Sequence, residues 1–407
     1  MSEKISVQCC IAGGGPAGMM LGYLLARAGV KVLVLEKHAD FLRDFRGDTI
    51  HPSTLEVMDE LGLLEKFLRL PHQEVYELNA QVGRTQLTIA DFRYLPARCR
   101  FIALMPQWDF LNFLADQAAG YPSFDLKMEA GVSGLIEESG RVTGIQAKTP
   151  NGAVEVRADL IVGADGRSSI VREEAGLKVK DLGAPMDVLW FRINRSPEDP
   201  VATMGRFDKG RIFITLNRGE YWQCGYVIAK GQFEEMRRQE FEMFRAEIIK
   251  LAPYTRDRVR ELRGWDDVKL LTVRVDRLLE WFRPGLLCIG DAAHAMSPVG
   301  GVGINLAIQD AVAAANVLFK PLREGLLTID HLRRIQKRRE LPTRVTQWLQ
   351  VAVQRRIIAR VLVETGSFEP PLAVRLLAKV SFLRRIPARI VGLGIRPEHI
   401  DRELIRS

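Results

Sequence analysis

Residues 5–37 read "ISVQCCIAGGGPAGMMLGYLLARAGVKVLVLEK", and the order of residue types in this stretch decides the fold. Ile5–Ala12 is a short apolar run of the buried-strand kind. Gly13–Gly18 makes a turn, and the following residues carry helical spacing that ends at Gly29. Val30–Lys37 is a second buried strand. A strand, a helix and a strand of these lengths form a βαβ unit with parallel strands. Within the turn, Gly13, Gly15 and Gly18 fit the spacing G-x-G-x-x-G. The first glycine permits the tight turn, the second lets a diphosphate approach the backbone, and the third lets helix and strand pack closely. A helix start offers that diphosphate free N–H groups and the positive end of a dipole. Glu36 closes the second strand 23 positions after Gly13, where a carboxylate accepts hydrogen bonds from an adenosine ribose.

Outside this unit, bulk properties narrow the class. A chain of 407 residues with 47% hydrophobic and 27% charged content buries a large core and holds two or three domains of ordinary globular type. No uninterrupted apolar run of about 18 residues marks a membrane span, and the start "MSEKISVQCC" lacks the pattern of a signal peptide. The five cysteines are odd in number and scattered, without a C-x-x-C pair, so neither a disulfide framework nor a zinc site is expected. Cys9, Cys10 and Cys288 lie in apolar runs and are read as small core residues. A reduced, cytoplasmic protein is the expectation. The net charge of +8 is uneven: Arg333–Ser407 carries 17 basic and 6 acidic residues, against 41 and 44 in the remainder. A basic tail is either a solvated helical surface or a site of peripheral membrane contact. Nucleic acid is not an expected partner, because no binding motif accompanies the charge.

Along the chain, the boundaries expected are a nucleotide domain in three pieces (1–73, 103–182 and 270–320), a largely antiparallel sheet inserted as 74–102 and 183–269, and a helical C-terminal part at 321–407. The class is α/β, a Rossmann-like parallel sheet with an inserted antiparallel domain.

Two further motifs carry chemistry. "GADGRSS" at 163–169 places Asp165 after an apolar strand and before a helix, where it either caps the helix or meets a ligand. "IGDAAHAMSPVGGVGINLAIQD" at 289–310 sets Asp291 at the carboxyl end of a buried strand, where ligands of open α/β sheets bind and a carboxylate can accept from a polyol. Its glycines admit a flat ligand close to the backbone, and the helix start at Val302–Asn305 favours negative charge.

The three motifs, in this order and over nearly the whole chain, resemble those of the flavoprotein monooxygenases of the para-hydroxybenzoate hydroxylase type. The resemblance implies FAD, reduction by NADPH or NADH without a second dinucleotide domain, and hydroxylation of an aromatic or other hydrophobic small molecule with O2 through a flavin C4a-hydroperoxide. It places the ADP half at Gly13, Gly15, Pro16, Ala17, Gly18, Glu36 and Lys37, and Arg46 near the flavin and diphosphate. Gln107 and Asp291, with Gly290 before it, address the ribityl chain, while Asp165 serves both FAD and the nicotinamide donor. Gly303 to Leu306, with Ile304 and Asn305 between them, lie against the flavin pyrimidine, and Pro298 and Gly301 are further cofactor-binding residues.

Trp190, Phe213, Trp222, Tyr226 and Pro298 are candidates for the pocket wall, each with plain core packing as the alternative. No base announces itself: His294 and His51 draw attention, and His294 is read as a structural loop residue because the sequence supplies no partner to set its pKa. The fold also serves flavin-dependent halogenases, polyprenyl reductases and non-enzymatic prenyl-protein carriers. The halogenases' W-x-W-x-I-P element is absent from this sequence, and retention of all the flavin motifs argues against a carrier.

Overall fold

The computed structural model describes residues 3–42, 49–83, 85–200, 203–208, 210–363, 375–376 and 379–406. Its first sheet has a parallel heart: Leu286–Cys288, Gly152–Gly163, Glu3–Ala12, Val32–Leu35 and Phe124–Lys127 lie side by side in that order. Cys9 is flanked by Leu160 on one side and Val32 on the other. The central runs Cys9–Ala12, Val32–Val34 and Leu160–Val162 are fully buried, as expected of parallel strands covered on both faces. The antiparallel strands Arg141–Thr149 and Gly131–Glu138 extend the sheet beside Gly152–Gly163.

Helix α1 (Pro16–Arg27) follows the first strand. Then come α2 (Pro52–Glu60), α3 (Leu64–Phe67), α4 (Gln107–Ala118) and the short α5 (Ile170–Glu174). The second sheet is seven-stranded, with antiparallel pairing except where Met204–Asp208 runs parallel to Glu77–Val82. Lys269–Leu271 forms its edge against Met186–Asn194, so the sheet continues past the boundary expected at 269. Alternation gives it two apolar faces. One packs under α6 (Phe233–Arg237) and α7 (Phe241–Leu251); the other looks toward the loop at Val299 and the C-terminal helices.

Helix α8 (Gly303–Glu324) crosses the core and ends on Gly325, whose left-handed conformation closes the helix. Among the described residues, Val299–Glu324 is a stretch long and apolar enough to cross a membrane, but 83% of its most apolar window is buried inside the protein. It is therefore the central core helix. Helices α9 (Ile329–Val353), α10 (Ala359–Val363) and α11 (Arg385–Gly392) complete the helical C-terminal part.

Candidate active site

Four adjacent parallel strands deliver their carboxyl ends to one edge: those ending at Leu35, Ala12, Gly163 and Cys288. At about 4.8 Å per strand this edge is about 15 Å wide, and all three sequence motifs lie along it. At the first, Gly13 has φ +104°, and a Cβ there would lie 2.5 Å from the Ala164 carbonyl oxygen. A Cβ on Gly18 would lie 2.0 Å from the Gly13 carbonyl oxygen. Gly15 differs, since a Cβ there would meet nothing within 4 Å. It is the N-cap of α1, with Pro16 next, no side-chain cap and no acid in the first turn, so the N–H groups face open space. Glu36 is buried behind them; its Oε2 accepts from Gly14 N at 2.9 Å and its Oε1 from His38 N at 3.1 Å. Lys37, next along, is exposed.

The second and third motifs meet through side chains. Arg167 Nε donates to Asp291 Oδ2 at 3.1 Å, with both side chains about one-third exposed on the edge. Arg172, on α5, reaches across to Asp276 Oδ1 and the Ala292 carbonyl, each at 3.5 Å. Asp165 takes on the capping role, accepting from Val171 N at 3.2 Å, while Ser169 caps α5 by accepting from Arg172 N. Burial pushes the Asp165 carboxyl up, against the hydrogen bonds of Ser169 and the helix start. Its Oδ1 is buried without a partner, so one acceptor is left over for a ligand hydroxyl or amide.

The flavin-side helix start expected at Val302–Asn305 is α8, which has neither a side-chain cap nor an acid in its first turn. Gly300 and Gly301 both have positive φ, at 79° and 63°. A Cβ on Gly301 would lie 2.5 Å from Thr49 Oγ1. Asn305 Oδ1 accepts from His51 N at 2.9 Å and Thr54 Oγ1 at 2.7 Å, fastening α8 to the start of α2. Gly290, at φ +59°, sits between α1 and α8: its Cβ would lie 3.1 Å from Ala17 Cβ and 3.3 Å from Ala307 Cβ. Its N–H donates to Asp310 Oδ2 at 3.1 Å. The same oxygen meets His294 Nε2 at 2.6 Å, and Arg339 Nε donates to Oδ1 at 2.9 Å. Burial raises the Asp310 carboxyl, but His294 and Arg339 outweigh it and hold it below its ordinary value. His294 thus braces the loop from inside the core.

The pocket candidates divide between the two faces of the second sheet. Phe213, Trp222 and Tyr226 point into the core beneath α7, where the Phe244 ring meets Tyr226 edge-on. Strand alternation turns these three pocket-wall candidates away from the loop at 298–303. Trp190 lies on the opposite face, in a cluster that includes Val299, and Pro298 is half-buried in the loop itself. Trp190, Gly225, Ile214 and Gly205 are successive cross-strand neighbours. A Cβ on Gly225 would lie 3.0 Å from the Trp190 ring, so the indole lies flat over the glycine. Trp190, Ile214, Phe207 and Leu271 remain half-buried, an apolar trough facing the loop. The Trp190 Nε1 donor is buried without a partner.

Residues 6–348 match the family model for the FAD binding domain. A relative from Streptomyces rimosus, 6-methylpretetramide 4-monooxygenase, is 32% identical over 386 residues, covering 94% of this chain and 91% of its own. The chain belongs to the FAD-dependent aromatic monooxygenases. Dialkyldecalin synthase of Streptomyces rugosporus is 27% identical over 74% of this chain, which spans 63% of that longer protein. The crystal structure of p-nitrophenol 4-monooxygenase PnpA from Pseudomonas putida superposes with a TM-score of 0.76 at 20% identity, covering 95% of this chain and 97% of that one; this likeness shows the fold.

The residues on the edge of this monooxygenase fit FAD. Gly15 leaves room at an uncapped helix start, Asp165 Oδ1 awaits a donor, Asp291 is accessible, and a second uncapped helix start stands at Gly303. Gln107 opens α4 and is half-buried, whereas Arg46 lies outside the described residues. Sequence reasoning missed Arg167, which lies in the quoted motif, and Arg339, whose place in a long basic helix gave no sign of burial.

Proposed function

We propose that the protein uses NADPH or NADH and O2 to hydroxylate a flat, hydrophobic aromatic compound, lying between the Trp190 trough and the 298–303 loop. The observation that carries this reading is the half-exposed apolar face around Gly225 and Gly205, turned toward Val299. The Trp190 indole lying on Gly225 offers a flat apolar floor for a planar ring, and the flanking apolar side chains exclude water. The relative named as a 6-methylpretetramide monooxygenase supports an aromatic substrate.

Bound FAD supplies the hydride-accepting and oxygen-activating chemistry. The chain's own part is to bind, orient and shield. The start of α1 would hold the diphosphate and Asp291 would accept from the ribityl hydroxyls. The start of α8 stabilises negative charge arising beside it, by about 1 kcal/mol. Trp190 Nε1 donates to an oxygen of the substrate and fixes which ring edge faces the loop.

The test is oxygen uptake and NADPH or NADH oxidation by the yellow holoprotein against a panel of single-ring and fused-ring phenols. Coupled consumption of both, with a hydroxylated product, is expected for part of the panel. Failure of every aromatic class to stimulate oxygen uptake would sink the proposal.

A further inference from the structure

The described C-terminal residues carry a surface that the reaction does not use. From Arg375 to Arg396 the sequence holds six cations, namely Arg375, Lys379, Arg384, Arg385, Arg389 and Arg396, and no Asp or Glu. Helix α11 docks one side on the protein. Ala388 and Gly392 are buried, and a Cβ on Gly392 would lie 2.7 Å from Leu95 Cδ1. Its other side faces outward with Arg385, Ile386 and Arg389 exposed. Four large side chains stand in the open there: Phe382 is 64% exposed, Tyr94 59%, Ile386 54% and Val380 42%. Tyr94 and Phe382 share one patch, because the Arg385 guanidinium lies 4.2 Å from the Tyr94 ring and 5.1 Å from the Phe382 ring; Ile386 follows Arg385 in the chain and Val380 precedes Phe382 by two residues. At its margin Asp91 and Glu77 are both engaged by Arg93.

Single exposed apolar side chains are ordinary, but four large ones interleaved with Lys379, Arg385 and Arg389 are not. Aromatic and aliphatic groups alternating with cations complement the boundary between acyl chains and anionic headgroups. The rings and Ile386 enter the apolar side, while the guanidinium groups meet phosphates. We propose that this face docks the protein on anionic lipid bilayers. The proposal is independent of the reaction assigned above, yet the two surfaces are close: Val391 of the same helix packs with Met296, Val302 and Leu306 at the start of α8. Docking would set the flavin-side loop one helix behind the bilayer and open a short route for apolar substrates.

The test is co-sedimentation of the holoprotein with vesicles of phosphatidylcholine alone and of phosphatidylcholine mixed with phosphatidylglycerol. Binding is expected only to the anionic vesicles and should weaken as salt is added. The pairs Phe382→Ser with Ile386→Ser, and Arg385→Ser with Arg389→Ser, should each lower the partition coefficient about tenfold or more. Flavin content and thermal midpoint should stay unchanged, as all four side chains are exposed. Equal or absent binding to the two vesicle types overturns the proposal, as does wild-type binding by both double variants. A dimer in light scattering that either pair dissociates would also overturn it, by assigning the face to a second copy of the chain.

Discussion

At the scale of single residues, the glycines of the first motif separate into those that build the fold and one that serves the ligand. Gly13 combines φ +104° with backbone 2.5 Å from its would-be Cβ, so Gly13→Ala should cost at least about 2 kcal/mol and be seen as a lowered urea midpoint. Gly15 has φ −76° and open space. Gly15→Ala should therefore leave stability within about 0.5 kcal/mol, while FAD affinity, measured by flavin fluorescence quenching, falls about tenfold or more. Asp291→Ala should likewise lower FAD affinity by about tenfold or more with the fold intact in circular dichroism; unchanged affinity would mean that the carboxylate faces only Arg167. Trp190→Phe keeps the ring over Gly225 and removes the unpartnered donor, so KM should rise about tenfold with little change in kcat. An unchanged KM would take the indole N–H out of substrate binding.

At the scale of elements, α8 owes its place to what its first turns hold. Asn305 joins it to the His51 backbone N–H, and the His51 Nδ1 lies 2.7 Å from the Val391 carbonyl of α11, so three helices meet at this one residue. Burial lowers the pKa of His51 from 6.5 to about 4, against the opposing hydrogen bond to Val391. The folded state therefore keeps a neutral ring where the unfolded chain takes up a proton. The His51 contribution is full above pH 6.5 and is lost as pH falls to about 4, at most about 3 kcal/mol. Urea denaturation across that interval should show the loss, and His51→Gln should abolish that part of the slope. The depressed Asp310 carboxyl acts in the same direction at lower pH, its contribution being present above 3.8 and lost below it.

The elements themselves were legible in the sequence because their signals are local. Strand, glycine turn and helix are consecutive around Gly13, and the two motifs further along place Asp165 and Asp291 just beyond the ends of their strands. Which face of the second sheet meets the flavin-side loop was not legible. Tyr221–Ala229 alternates Trp222, Cys224 and Tyr226 with Gln223, Gly225 and Val227, and apolar residues occur on both sides. Periodicity separates the two sets without saying which partner each will find.

At the scale of the whole molecule, the basic tail proves to have two faces with different physics. The outward one is the exposed apolar and basic patch proposed to meet lipid; the inward one ends in Glu398, a buried carboxylate held by Arg338 Nε at 2.6 Å and Arg339 Nη1 at 3.4 Å. Arg339 in turn holds Asp310, which holds His294 and the Gly290 N–H, so a chain of charges runs from the tail to the turn that carries Asp291. Pairings between residues 59 and 29 positions apart leave no local pattern, which is why the sequence showed only a surplus of arginine. Glu398→Gln removes the charge and keeps the shape. It leaves Arg339 short of a partner in the core, at a cost of about 3 kcal/mol. Because FAD binds the folded state alone, it adds to stability in proportion to its affinity. If the charge chain positions Gly290 and Asp291, the rise in thermal midpoint on adding FAD should be smaller in Glu398→Gln than in the wild type. An equal rise from a lower starting midpoint would confine Glu398 to holding the tail in place, with no reach to the cofactor.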